Sequence, residues 1–408
     1  MGETLYDEAR VPRYVLPDAL SFADGRPIDG PEAWRRRRAE ILGLFEAHVY
    51  GRTPEGTGTP PSFEIFDDSP DALGGRAVRR QVRITVAASG RTLGMDLLLY
   101  LPAASGVGGR GPAPVLLGLN FGGNHTVAAD PAIRLPASWV GGAGSGDAHR
   151  ATDAGRGRGA WPVEAIVARG YGLATLYCGD VEPDHAGGFV DGVRGLVSPE
   201  GPGEADDAWG ALGAWAWGLS RALDYLRTDA AVDGGRVAVM GHSRLGKAAL
   251  WAGAQDGRFA LVVSNNSGCG GAALFRREYG ERVANINTAF PHWFCPAFRR
   301  YNDREADLPI DQHMLIALVA PRPVYVASAQ DDRWADPKGE FLAALGADPV
   351  YRLLGCGGMD LREMPEPEHP THGTIGYHIR PGGHGVTPYD WARFLDFADR
   401  HLGRPADG

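Results

Sequence analysis

A mostly parallel β-sheet between two layers of helix is the fold this sequence predicts, on three observations. From Pro114 onward, short and nearly continuous apolar runs alternate with longer amphipathic ones, the pattern of buried parallel strands covered by helices on both faces. One of the apolar runs passes through small residues straight into an Ala-rich helical segment. The third observation is compositional: 408 residues, 44% hydrophobic and 22% charged, suffice to bury a large core. Intrinsic disorder is thereby excluded, and 59 Gly and 30 Pro leave too many helix breaks for a coiled coil or a helical repeat.

Residues 31–49 predict an amphipathic helix whose basic cluster, residues 35–38, reads as a solvated face. Residues 78–87 and 92–101 are β-rich runs about a Ser-Gly turn, giving a β meander after the helix within residues 1–110. Residues 111–402 then carry the sheet and its helices. Buried strands are expected at 114–121 (PVLLGLNF), 172–178 (GLATLYC), 236–240 (RVAVM), 259–265 (FALVVSN), 322–329 (RPVYVASA) and 349–354 (PVYRLL). Trp209, Leu212, Trp215, Leu219, Leu223 and Leu226 step by three and four along one helical face, and PYDWARFLDFADRHL has the same period. No internal repeat occurs. The Gly-rich stretches 106–111 and 141–159 are too short and apolar for linkers, so residues 1–408 read as a single domain.

A formal charge of -9, from 50 acidic and 41 basic residues, gives no footprint for nucleic acid. No stretch approaches the roughly 20 apolar residues of a membrane span, and MGETLYDEAR lacks the basic and apolar regions of a signal peptide. A cytoplasmic monomer is expected from the chain as written, or a secreted one if a leader precedes it. Cys178, Cys269, Cys295 and Cys356 have no metal-ligand spacing and are expected to be buried free thiols, with a Cys269–Cys295 bridge as the alternative. No metal or cofactor is implied.

The segment RVAVMGHSRLGKAALWAGA runs from a strand through Gly241, Ser243 and Gly246 into a helix, the context of a nucleophile elbow. Its G-x-S-x-x-G spacing departs by one residue from G-x-S-x-G. A helix starting there aims amide N–H groups at a developing oxyanion. A serine nucleophile needs a base, and the base an acid to hold its tautomer. His384 stands out as the base, in a Gly-flanked loop just before the last helix; His313, His372 and His378 remain weaker candidates, and His242 is expected to point away across the turn. The acid is expected after a late strand, at Asp331 or Asp332, with Asp332 favoured because it lies further from the strand end. Ser, acid and His in that order suit an α/β-hydrolase, a three-layer αβα sandwich.

GHSRLGK, SNNSGCGGAALFRREYGE, FPHWFC, LPIDQHMLIALVAPRPVYVASA, DRWADPKGEF and GYHIRPGGHGVTPYDW together resemble the bacterial glucuronoyl esterases of carbohydrate esterase family fifteen. The resemblance covers most of the chain and is densest over 234–402. It implies a cofactor-free serine esterase acting on 4-O-methyl-glucuronoyl esters between glucuronoxylan and lignin alcohols. By position, Ser243 matches the nucleophile, His384 the base, Asp332 the acid and Arg244 an arginine assisting the oxyanion. Lys247, Glu281 and Trp334 match residues that hold the uronate ring. Their ordinary alternatives are a surface helix lysine, half of an ion pair with Arg282, and a core indole. Two departures stand out: Asn266 occupies a position where many relatives carry a glutamate, and His242 one where fungal relatives carry a disulfide-bonded cysteine whose partner position is Gly385 here. Competing readings are an acetyl-xylan or other carbohydrate carboxylesterase, and a non-catalytic carbohydrate-binding protein of the same fold.

Overall fold

The computed structural model describes residues 4–54, 60–103, 105–106, 111–141, 149–201 and 205–403; much of both Gly-rich stretches, and the first three residues of the N-terminal segment, lie outside these. Nine strands form the main sheet: β1 (Ser62–Asp71), β2 (Ala77–Ala88), β3 (Arg91–Pro102), β4 (Ala113–Asn120), β5 (Gly172–Tyr177), β6 (Val232–His242), β7 (Leu261–Asn265), β8 (Val324–Ala329) and β9 (Ile375–Arg380). Their spatial order is β1-β2-β3-β5-β4-β6-β7-β8-β9. The pairs β1/β2, β2/β3 and β3/β5 are antiparallel and the remainder parallel. Because β3 pairs with β5, the N-terminal meander and the parallel strands form one continuous sheet.

The layers follow from strand alternation. On β4, Val115, Leu117 and Leu119 face one core and Leu116 the other; on β6, Val237 and Val239 face the first while Ala238 and Met240 face the second. The first core is closed by α1 (Pro31–Phe45), α3 (Ala211–Leu226), α4 (Arg244–Gln255), α5 (Gln312–Ala317) and α6 (Pro337–Leu353). The second is closed by α2 (Val163–Ala168) and α7 (Pro388–Leu402). This is the three-layer αβα arrangement, and no helix among the described residues is long and apolar enough to cross a membrane.

Several elements differ from expectation for identifiable reasons. PVYRLL is the end of α6 rather than a strand, because a short apolar run does not distinguish the two; Phe341, Ala344, Ala347 and Tyr351 recur on its buried face at helical spacing. β9 was not expected, since IGYHIR carries a histidine and an arginine. Both are buried because Asp390 satisfies them: His378 Nε2 lies 2.8 Å from Asp390 Oδ1, and Arg380 Nε donates to Oδ2 at 2.7 Å. The edge strand β1 was also missed, its acidic DDSPD hiding any alternation; Arg79 pairs with Asp67 at 2.9 Å and Arg80 with Asp68 at 3.0 Å across β1/β2. The 35–38 cluster is not all solvated: Arg37 is buried and ion-paired with Glu40, and Arg38 donates to the carbonyls of Leu318 and Ala254. All four cysteines are free, so Cys269 and Cys295 are not bridged, and Cys356 is only half-buried.

Asp390 also accepts from Thr387 N and Oγ1, capping α7 while holding β9. Asp390→Ala leaves a buried arginine without its counter-charge and is expected to cost about 3–5 kcal/mol in chemical denaturation. A loss below about 1 kcal/mol would show that the network can rearrange around the missing carboxylate.

Candidate active site

β6 ends at His242 and α4 begins at Arg244, so Ser243 occupies the turn between them, with φ 56° and ψ -132°. Positive φ at a non-glycine residue costs about 1–3 kcal/mol and persists only where the surroundings impose it. Here Ser243 N donates to Asn265 O at 2.9 Å, tying the turn to β7. The tightness needs Gly241, where a Cβ would lie 2.0 Å from the Leu245 carbonyl oxygen. The serine therefore sits at the N-terminus of a 12-residue helix. The amides of Arg244 and Leu245 have no acceptor among the described residues.

His384 lies on the loop between β9 and α7. Its Nδ1 is 2.6 Å from Asp332 Oδ2, and its Nε2 has no protein partner among the described residues. A proton held on Nδ1 by a carboxylate leaves Nε2 free to accept one. Asp332 is buried, which works to raise its pKa, but the bonds from His384 and from Asn266 Nδ2 (2.8 Å) hold it below the ordinary carboxylate value. Asp331 is exposed and makes no bond to the histidine. Of the other histidines, His313 bonds Pro17 O, His378 belongs to the Asp390 network and His372 is exposed.

His242 does not point away from the site. β6 continues through it, so strand alternation sets its direction, and its ring centre is 4.6 Å from that of His384. Burial, then the neighbouring His384, push its pKa down to about 3. Its Nδ1 accepts from Asn265 Nδ2 at 2.9 Å, which places its proton on Nε2.

Arg244 Nε forms an ion pair with Asp184 Oδ2 at 2.7 Å, and the guanidinium carbon lies 4.8 Å from the Phe121 ring and 5.8 Å from the Trp293 ring. Its two Nη groups have no protein partner among the described residues. Asp184 Oδ1 in turn lies 2.9 Å from His292 Nε2 and accepts from Trp293 Nε1 at 2.7 Å. Burial raises Asp184, but His292, Arg244 and Trp293 hold it below the usual carboxylate range.

Lys247 is buried rather than on the helix surface. Its Nζ donates to Ser267 O at 2.7 Å and Cys269 O at 2.6 Å, leaving one N–H, and lies 3.7 Å from Glu281 Oε2. Glu281 is not Arg282's partner; that arginine pairs with Glu278, Glu305 and Asp303. Burial raises the Glu281 pKa against Lys247 and a bond from Trp334. Trp334 is 42% exposed, so it is not core. Lys247, Glu281 and Trp334 thus form one cluster beside the elbow, within electrostatic reach of His384.

The sequence reading missed Asp184, His292, Trp293, Asn265 and Glu340. His292 and Trp293 lie in FPHWFC, Asn265 in SNNSGCGGAALFRREYGE and Glu340 in DRWADPKGEF, motifs quoted without a role for these residues. Glu340 is fully buried beneath the loop after β7: its Oε1 accepts from Ser267 N (2.8 Å) and Gly268 N (3.0 Å), and its Oε2 from Ser328 Oγ (2.6 Å). Burial pushes its pKa up to about 8 despite those donors, and the nearby Asp332 charge adds to the effect.

Residues 204–355 match a family model described as "Glucuronyl esterase, fungi". The chain is 51% identical to carbohydrate esterase MZ0003, from an unknown prokaryotic organism, over 97% of this chain and 92% of that one. Among solved structures, a glucuronoyl esterase from Solibacter usitatus superposes with TM-score 0.90 at 48% identity, covering 97% of this chain and all of that one. A promiscuous CE15 esterase from a marine bacterial metagenome gives TM-score 0.89 at 49% identity, covering 98% and 100%.

The Glu340 pKa of about 8 lies above its unfolded value of about 4.3. Its contribution to stability is therefore complete below about pH 4.3 and is lost as pH rises through about 8. Glu340→Gln, which cannot ionise, is expected to lose less Tm than the wild type between about pH 6 and pH 9. Parallel Tm curves for the two proteins would show that Glu340 is not the group that titrates.

Proposed function

The chain belongs to carbohydrate esterase family fifteen, the glucuronoyl esterases, and we propose that it hydrolyses 4-O-methyl-glucuronoyl esters between glucuronoxylan and lignin alcohols, with Ser243 as nucleophile. The observation that carries the assignment of residues is the strained Ser243 at a helix N-terminus, together with the His384–Asp332 pair.

In this mechanism Nε2 of His384 takes the Ser243 hydroxyl proton as Oγ attacks the ester carbonyl carbon. Negative charge develops on the carbonyl oxygen, where the unengaged Arg244 amide and the Arg244 guanidinium are the available donors. Asp184, Phe121 and Trp293 hold that guanidinium, so it need not reorganise as charge builds. The ester C–O bond breaks, the alcohol oxygen receives the proton from His384, and a glucuronoyl group remains on Ser243. Water then attacks by the reverse route and releases the acid. Asp332, kept ionised, stabilises the imidazolium at both stages.

The uronate ring carries hydroxyls on its edges and C–H groups on its faces. Lys247 offers the N–H that faces Glu281, Glu281 an acceptor, and Trp334 an exposed indole. A site built to bond hydroxyls penalises an ester lacking them, because its buried polar groups stay unpaired.

Ser243→Ala is expected to abolish burst-phase acyl-enzyme formation, and Asp332→Asn to lower kcat roughly 10³- to 10⁴-fold. A loss of only a few-fold in Asp332→Asn would move the acid role elsewhere. Glu281→Gln is expected to reduce kcat/KM on methyl glucuronate by about 10-fold or more relative to an aryl acetate. Equal losses on both substrates would assign Glu281 a structural role.

A further inference from the structure

Residues 381–387, PGGHGVT, connect β9 to α7 and carry His384. This connection has little in it to hold a shape. Gly382 has φ 90°, and a Cβ at Gly383 or Gly385 would meet nothing within 4 Å, so three of the seven residues are glycines that nothing packs against. None of the amides of residues 382–386 has an acceptor among the described residues. The His384 side chain is itself 47% exposed. Proton transfer nevertheless requires Nε2 to stay within hydrogen-bond reach of the Ser243 hydroxyl. The position of the loop must therefore be imposed from outside it.

Arg380, the last residue of β9, is buried and reaches back over the loop. Its Nη1 donates to Pro381 O at 2.9 Å, and its Nη2 to Gly383 O at 3.2 Å and to Gly385 O at 2.8 Å. Gly383 and Gly385 flank His384, so one nitrogen holds the backbone on both sides of the base. The guanidinium is itself oriented, because Nε donates to Asp390 Oδ2 at 2.7 Å and that carboxylate also meets Thr387 and His378. Arg380 and Asp390 bracket the loop in sequence, and their ion pair closes its ends. Among the described residues, the other bonds to carbonyls of residues 381–385 come from Asp331 N to Gly382 O at 3.0 Å and from Asn265 Nδ2 to Gly385 O at 3.0 Å. Each of those engages a single carbonyl.

The residue type fits the task. A guanidinium presents its donors in fixed directions in one plane, so a single side chain can address several carbonyls and a carboxylate together. A lysine ammonium is a compact charge on a flexible stem and cannot span the same set.

We propose that Arg380 is the positioning residue of the catalytic base, setting the loop so that His384 meets Asp332 on one side and Ser243 on the other. It touches no reacting atom and acts through His384 alone. The proposal rests on His384 serving as the base in the ester hydrolysis put forward above.

The test uses two variants. Arg380→Lys keeps a positive charge beside Asp390 but loses the fork, and Arg380→Met with Asp390→Asn removes both charges together, so that no lone buried charge is left. In each, kcat should fall about 10- to 100-fold on methyl glucuronate and on an aryl acetate alike, with KM within about 2-fold of the wild type. The discriminating step repeats Arg380→Lys in a His384→Ala background. With no imidazole left to position, it should cost less than about 2-fold further there. The same 10- to 100-fold loss in both backgrounds would assign Arg380 a structural role and overturn the proposal, as would a kcat within about 2-fold of the wild type in both Arg380 variants. Either result leaves the esterase reading standing. Near-wild-type turnover in His384→Ala, or a wild type that cleaves neither ester, would overturn the functional reading itself, and this proposal with it.

Discussion

The site depends on one carboxyl group that touches no reacting atom. The segment from the last residue of β7 into the loop after it, residues 265–270, departs from regular structure, with Asn266, Gly268 and Gly270 at positive φ, and so cannot satisfy all of its own amides. Glu340 supplies the acceptor for two of them from within the core. Held there, the loop distributes its polar groups among the elements of the site. Asn265 O takes the Ser243 amide, Asn265 Nδ2 reaches both His242 and Gly385 O, and Asn266 Nδ2 reaches Asp332. The carbonyls of Ser267 and Cys269 take Lys247. Elbow, histidine loop, acid and lysine are thereby referenced to a single short segment.

That arrangement sets two buried carboxyls in opposite states. Asp332 has a histidine and an amide donating to one oxygen, and its pKa is lowered. Glu340 accepts from four donors but has full burial and a nearby Asp332 charge, and its pKa is raised to about 8. Neighbouring acids whose environments push them apart can divide a task. Here one carries the charge a histidine requires, and the other holds a loop while remaining largely uncharged at neutral pH.

The parallel strands and the last helix were legible because burial on both faces writes a continuous apolar run, and because α7 shows one apolar stripe. β9 was not legible, since His378 and Arg380 are compatible with a buried strand only through Asp390, on the following helix. The elbow could be read from Gly241, Ser243 and Gly246, as small residues are needed where backbone meets backbone. Asp332 could be placed only to within one residue, because the direction in which a loop carboxylate turns is decided by the partners that meet it. Glu340 lies in the quoted run DRWADPKGEF, but nothing local gave its role: the loop whose amides it satisfies lies some seventy residues earlier in the chain.

Asn266 shows how the departure from the family pattern is physically coherent. The resemblance places a glutamate at this position in many relatives, whereas this chain has an amide whose Nδ2 donates to Asp332. A carboxylate there would place like charge beside Asp332, raise one of the two pKa values and remove a donor. With an amide, the same position stabilises the ionised form of the acid that does contact His384. Asn266 holds φ 47°, a left-handed conformation that asparagine tolerates better than longer side chains, so backbone geometry and electrostatics favour the same residue. Position 266 and Asp332 are therefore one coupled unit, in which the amide is the complement of having the acid in the loop after β8.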